Sequence, residues 1–427
     1  MEIRDPIHGS IYLNEGEEAI IESVEFQRLR EIKQLGFSEF SFPGATHNRF
    51  LHSIGVSHVA GLVFDSIFRA YPFAKSQNKI RFRQLTKLAA LLHDIGHGPL
   101  SHTTEQVMPP LKDLDVKVFN DQKMNQNRQA NHEDYTIKFV TDSNIATIIR
   151  KYFSDIDPLH VAALIDKNLT AEADIFKDGS IDFRPILSQI VSSELDADRM
   201  DYLERDSYYC GISYGNIDRD WLIQNLTLNI QDDRAFLALN RRALYAFDDF
   251  LISRHHMHLM VYFHHKSIIY EEMLNLYLNS KDVQFKIPAN LKDYVSYTDY
   301  KLYEHLDTVK NEWAKRIAER TPYRVAIELH NQDLERSENV IKLFKASDIH
   351  SIWASSKVRL SKYHATTTDD KMNIFVVDQY DKWDKPSPID LATQIFQKYE
   401  GARVIDRIYV APEKYDLAKK ILNEEKY

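Results

Sequence analysis

At 427 residues, 44% of them hydrophobic, the chain is long enough for one large core and a smaller second one, because single cores stop growing near roughly 250–300 residues. Twenty-three Tyr and twenty-two Phe against twelve Gly and thirteen Pro exclude a disordered or fibrous chain. A net charge of −9 argues against a broad duplex nucleic-acid surface, yet local arginines in a cleft can still hold a small anion.

The N-terminal MEIRDPIHGS lacks the basic-then-apolar order of a signal peptide, and no apolar run approaches the ~20 residues of a membrane span. A cytoplasmic protein with no membrane partner is expected. Cys210 is the one cysteine, has nothing to pair with inside the chain, and is read as a packing residue.

In chain order, helical periodicity dominates to about residue 285, as in EEAIIESVEFQRLREIKQLG and NKIRFRQLTKLAALLHDIG, where apolar residues recur at three and four. Residues 1–285 are therefore expected to form an all-helical domain. Between Met108 and Asn131, Pro109-Pro110 precede the polar stretch FNDQKMNQNRQAN, which reads as a mobile insertion, either a solvent loop or a lid. After 285 the texture changes to short β-rich runs, YRVAIEL, NIFVVDQY and RVIDRIYV, between charged helical stretches. The expected architecture is mainly α: a helical core, then a smaller α+β C-terminal lobe over 286–427.

The segment LAALLHDIGHGPLSHTTE, residues 88–105, carries the most chemistry. An apolar helix delivers His93-Asp94, and Gly96, Gly98 and Pro99 then end it. A neutral nitrogen beside an anionic oxygen suits a divalent transition metal. The pair alone is equally a helix C-terminus stabilised by a histidine next to a solvated aspartate. His97 and His102 follow closely, His52 lies upstream in HNRFLHSIGVSHVAG, and the acidic helix SSELDADRMDYLERD lies downstream. On a 3.6-residue period Asp198, Tyr202 and Asp206 share one helix face. That helix taken alone is equally an exposed acidic one with Arg199 and Arg205 as surface partners.

HNRFLH, HDIGHGPLSH and DADRMDYLERD stand in the order and approximate spacing of HD-domain proteins, and the chain resembles the deoxynucleoside triphosphate triphosphohydrolases among them. DPIHG, FQRLREIKQLG and FPGATHNRF add to this resemblance, which covers roughly residues 4–275. It implies that His52, His93, Asp94 and Asp198 hold one divalent ion, with Mn, Fe, Zn, Co, Ni and Mg all open, and that a further Mg accompanies the nucleotide phosphates as an option. It implies His97, His102 and His132 near the scissile phosphate, with Glu105 where vertebrate members have an aspartate that orients such a histidine. Arg49, Arg199, Asp206 and Arg254 fall at positions that contact the triphosphate or its metal. Tyr202 and Tyr262 match residues around sugar and base, and Gln34 and Leu35 those that read the 3′-hydroxyl and crowd the 2′ position.

What the resemblance implies for activity is metal-dependent hydrolysis of a deoxynucleoside triphosphate to deoxynucleoside and inorganic triphosphate. Two alternatives stay open: an HD phosphohydrolase acting on nucleoside monophosphates or alarmones, and a non-catalytic nucleotide or nucleic-acid sensor. A nucleotide activator and a homo-oligomer, dimer or tetramer, are also implied; Gln27 and Arg30 are kept, but Glu22 stands where an aspartate is expected. The histidines in ISRHHMHLMVYFHHKSIIYEEML read as packing or surface groups on one long helix, with His264 the one placed to reach the pocket beside Tyr262.

Overall fold

A computed structural model describes residues 1–330, 334–360, 374–378, 380, 385–399 and 401–425 of the chain. The fold is mainly α. A short antiparallel hairpin, β1 (Glu2–Asp5) and β2 (Gly9–Tyr12), is followed by the helices that carry the site: α1 (Arg49–Ile67), α2 (Ser76–Leu92), α3 (His132–Asp142), α4 (Pro158–Ile165), α5 (Arg184–Val191) and α6 (Ala197–Cys210).

Helix α1 is the hub, packed against both α2 and α6. Its side chains are buried on every face, including Phe50, Ile54, Val59, Val63 and Phe64, as expected of a helix apolar all round. With 19 residues it is long and apolar enough to cross a membrane, which the sequence reading overlooked; 72% of that window is buried inside the protein. It is a core helix that carries polar site residues at its first turn.

Three local expectations need correction. FQRLREIKQLG is not one helix: a short helix over Val24–Gln27 gives way to 3-10 turns at Arg28–Glu31 and Gly36–Phe40, with Lys33 between them paired to Asn48 as an isolated bridge. The stretch after Pro109-Pro110 is not an insertion with nothing to bury. Leu111, Leu114, Val116 and Phe119 all enter the core, from and between helical turns at Leu111–Leu114 and Lys117–Asp121. The helical region also contains a longer hairpin, β3 (Leu226–Gln231) and β4 (Arg234–Asn240), turning through Asp232 and Asp233 at φ of 51° and 55°. β4 is buried on both faces, so its apolar run lacks the alternation that marks a strand.

The long helix read across the histidine-rich segment is interrupted. Helix α7 (Leu244–Met257) runs into a π turn at His258–Tyr262, and α8 (His265–Leu278) starts afresh with the His264 side chain accepting from the Lys266 backbone N–H. Such turns place side chains off the regular helical register.

The C-terminal part is α+β. Strands β5 (Arg324–His330), β6 (Ser351–Val358) and β8 (Arg403–Val410) form a sheet ordered β5-β8-β6, antiparallel throughout. Helices α9 (Leu334–Ala346) and α10 (Tyr415–Glu424) cover it through Val340, Phe344, Ala418 and Leu422. NIFVVDQY yields strand β7 (Phe375–Val377), while its Asn373 and Gln379 lie outside the described residues. Packing crosses the expected 285/286 boundary: β7 pairs in parallel with β4, and the Arg407 guanidinium donates to the Phe263 carbonyl at 2.8 Å.

Candidate active site

Helix α2 ends at Leu92, and the chain then turns sharply through His93–Ser101. Gly96 permits this path, since a Cβ there would lie 2.1 Å from the His132 carbonyl oxygen and 2.3 Å from the Thr136 nitrogen. The corner thus abuts the first turn of α3. Leu100 and Ser101 adopt φ of 51° and 57°, a left-handed conformation that costs about 1–3 kcal/mol per non-glycine residue. Asp299 and Arg49 hold it: the Leu100 N–H donates to Asp299 at 2.8 Å and Arg49 Nε donates to Ser101 Oγ at 2.9 Å.

Four side chains converge: His52 from α1, Asp198 from α6, and His93 and Asp94 from this corner. His52 Nε2 lies 3.0 Å from Asp198 Oδ1 and 3.6 Å from Asp94 Oδ2, and His93 Nε2 lies 3.5 Å from Asp198 Oδ1 and 3.4 Å from Asp94 Oδ1. Donors that share one ion at about 2.0–2.2 Å stand roughly 3.0–3.6 Å apart. The tautomers fit as well. His93 Nδ1 can only donate to the Ala90 carbonyl, at 2.7 Å, which leaves a buried Nε2 lone pair without a hydrogen-bond partner. His52 Nδ1 faces Asp201 Oδ2 at 2.8 Å, which likewise directs its Nε2 lone pair at the two carboxylates.

The electrostatics point the same way. Burial works to raise the Asp94 and Asp198 carboxyls, but for Asp94 the charges of His93 and Arg49, and for Asp198 the neighbouring His52 and His93 imidazoles, hold both below the usual carboxylate range. Burial likewise opposes charge on His52, yet hydrogen bonds with Asp198 and Asp201 lift it to about 10. Negative charge is therefore concentrated where a dication would displace protons. His52, His93, Asp94 and Asp198 are the residues that would hold it.

These ligands open into a cavity of about 450 Å³, also lined by Gln34, Arg49, His97, His102, His132 and Arg199. Arg49 pairs with Asp94, and Arg199 with Asp196 at 2.6 Å. The His97 and His132 rings stack at 3.9 Å, and Glu105 Oε1 meets both His132 and His102. Burial together with the charges of Arg49 and His132 holds His97 neutral, well below the usual histidine range. Gln34 Oε1 is buried and unpaired, an open acceptor among polar walls.

Other singled-out residues stand outside this lining. Leu35 packs against the core. Tyr202 and Tyr262 face each other at 6.4 Å, and the Tyr262 hydroxyl donates to Asp206 at 2.8 Å. Arg254 is turned to Glu194, at 2.6 Å, and to the Leu360 carbonyl. His264 sits on Ser41 at 2.8 Å, and it is His258 whose ring meets Tyr262, at 5.0 Å. Missed in sequence were Asp201 and Arg205: the second reading of the acidic helix, with Arg205 at the surface, fails because Arg205 is fully buried. His47 was also missed; its Nε2 lies 2.8 Å from Asp206. The repeated spacing in DADRMDYLERD was the available signal for Asp201, which lies three residues after Asp198.

The HD domain profile matches residues 49–206, which hold all four converging ligands, and an HD-associated region matches 217–354. The chain belongs to the HD-domain family. Among its relatives, an uncharacterized protein of Bacillus subtilis is 34% identical over 61% of this chain and 51% of its own length. The Dictyostelium discoideum homolog of deoxynucleoside triphosphate triphosphohydrolase SAMHD1 is 31% identical over 68% of this chain and 51% of its own length, and the human SAMHD1 is 28% identical over 69% and 48%. The chain thus aligns with only about half the length of these curated relatives. A crystal structure of a hypothetical protein from Aquifex aeolicus superposes with a TM-score of 0.76 at 26% identity, covering 99% of both chains.

Proposed function

We propose that this HD-domain hydrolase cleaves deoxynucleoside triphosphates to deoxynucleoside and inorganic triphosphate. The observation that carries the reading is the shared cavity: a two-histidine, two-carboxylate cation site and two arginines line the same walls as the His97, His102 and His132 group. Its size falls within the range of small-molecule pockets, about 300–1,000 Å³. The triphosphohydrolase names of relatives at 28–31% identity favour the substrate class.

A divalent ion held by His52, His93, Asp94 and Asp198 would supply Lewis-acid polarisation of the α-phosphoryl oxygen. Arg49 and Arg199 neutralise and orient the triphosphate oxygens, a task suited to the planar guanidinium fork. Water forms the new bond to the α-phosphorus as the bond to the 5′-oxygen breaks. The leaving oxygen needs one proton, which one of the Glu105-held histidines, His102 or His132, supplies from Nε2, and the proton released by the attacking water restores it. Gln34 Oε1 offers an acceptor for a sugar hydroxyl. A nucleotide-responsive homo-oligomer in the cytoplasm remains part of this reading.

The test is product analysis with each of the four dNTPs, singly and mixed, and a divalent metal. Tripolyphosphate and deoxynucleoside are expected. Mono- or diphosphate products alone, or activity confined to nucleoside monophosphates or alarmones, would overturn the reading.

A further inference from the structure

The Asp201 carboxylate accepts four hydrogen bonds, which saturates both oxygens. Oδ2 takes His52 Nδ1 at 2.8 Å and Arg205 Nε at 2.8 Å; Oδ1 takes Arg205 Nη2 at 2.9 Å and His8 Nε2 at 2.6 Å. Arg205 and Asp201 are fully buried, and Gly55 of α1 makes room for them: a Cβ there would lie 2.0 Å from Asp201 Oδ1. His52 is thereby fixed by a carboxylate that has no freedom of its own.

His8 comes from the turn of the N-terminal hairpin and does not itself line the pocket. Its Nδ1 lies 2.9 Å from Arg219 Nη1, and a guanidinium can only donate. Nδ1 is therefore the acceptor, and Nε2 carries the proton that it gives to Asp201. Asp5 completes the turn. Its Oδ1 accepts from the Ile7 and His8 backbone N–H groups at 2.8 and 2.9 Å, and its Oδ2 accepts from Arg205 Nη1 at 2.9 Å. One carboxylate thus fixes both the backbone of His8 and the arginine that shares Asp201 with it.

We propose that His8 is a positioning residue of the metal centre, acting through Asp201 to hold His52 in the orientation that presents Nε2 to the ion. The N-terminal hairpin turn is an outer shell of the cation site. Partners that orient a metal-bound histidine are typically worth about 10–100-fold in metal affinity. His8 stands one bond further out, so the lower end of that range applies. The inference rests on the cation site alone and stands whichever nucleotide the protein cleaves.

The experiment measures metal per chain as purified, and its retention against increasing EDTA, for the full chain and its variants. His8→Leu is expected to release metal at about tenfold lower chelator concentration. His8→Gln, whose amide N–H can reach the same oxygen, recovers most of the affinity. The metal-dependent rise in Tm shrinks in His8→Leu beyond any fall in the metal-free Tm, which a purely structural role would not produce. Tyr12→Ser, at an exposed position of the same hairpin, keeps wild-type retention. If His8→Leu does not fold, Arg219→Met, which removes the donor that fixes the His8 tautomer, is expected to weaken retention in the same direction. Wild-type retention in a folded His8→Leu, or in Arg219→Met where it stands in, overturns the proposal; a variant that loses metal while the wild type cleaves no dNTP leaves it intact and refutes the substrate reading instead.

Discussion

Glu105 Oε1 and His132 Nδ1 lie 2.5 Å apart, and the same oxygen stands 3.0 Å from His102 Nδ1. Burial tends to raise this carboxyl, but the hydrogen bonds from His102 and His132 bring it down to about 2, so Glu105 is an anion throughout the working pH range. Replacing it by Gln turns one acceptor oxygen into a donor and releases both rings. Triphosphate release should fall by about 10²–10⁴ in kcat, the usual worth of a general acid–base pair. Glu105→Asp should recover part of this. A Glu105→Gln enzyme with unaltered turnover would remove these histidines from the proton path.

His93→Ala and Asp94→Ala each delete one donor from a four-donor set. Elemental analysis of the purified variants should find metal well below one per chain, and turnover should vanish with it. Far-UV circular dichroism should keep its helical amplitude, because both residues sit just beyond the end of α2. Full metal content in either variant would move the ion elsewhere.

Gly96→Ala forces a methyl against the His132 carbonyl and the Thr136 amide. Both contacts are backbone at the first turn of α3, so the corner carrying His93 and Asp94 must separate from the helix carrying His132. Denaturant unfolding should register a loss of about 1–3 kcal/mol, the range for overpacking a tight site. Turnover should fall alongside it, since the two halves of the cavity move apart.

Burial, then the charges of His265 and Arg407, push His264 down to about 4, below its unfolded value near 6.5. Between these values the unfolded chain binds the extra proton, so the stability this neutral histidine contributes is complete above about pH 6.5 and is lost as pH falls toward 4. Asn in its place still caps α8 but does not titrate. The Tm of His264→Asn should therefore decline less than that of the wild type between pH 6.5 and 4; parallel curves would show that His264 titrates normally.

The four converging residues were legible because their motifs, HNRFLH, HDIGHGPLSH and DADRMDYLERD, stand in the order of the family the chain resembles, and α2 because its apolar spacing is helical. Asp201 was not, since its meaning lies in its partners: His8, His52 and Arg205 come from three separate segments, and in one dimension it is one carboxylate among several on an acidic helix. β4 escaped for a different reason, burial on both faces, which erases the strand period. The surroundings of Arg254 were not legible either. The neighbours that hold it, Glu194 and the Leu360 carbonyl, are set by tertiary packing and lie far from it in sequence.

Asp5 and Arg205 meet across 200 positions of chain. During synthesis at roughly 5–20 residues per second, the turn that carries His8 leaves the ribosome about 10–40 s before its buried partner exists. A cation that encounters the nascent polypeptide early finds His52, His93 and Asp94 without Asp198 or the Asp201 clamp. Loading of a cation would thus be a late event in maturation, timed by translation of α6, and a chain stalled before that point would lack a complete site.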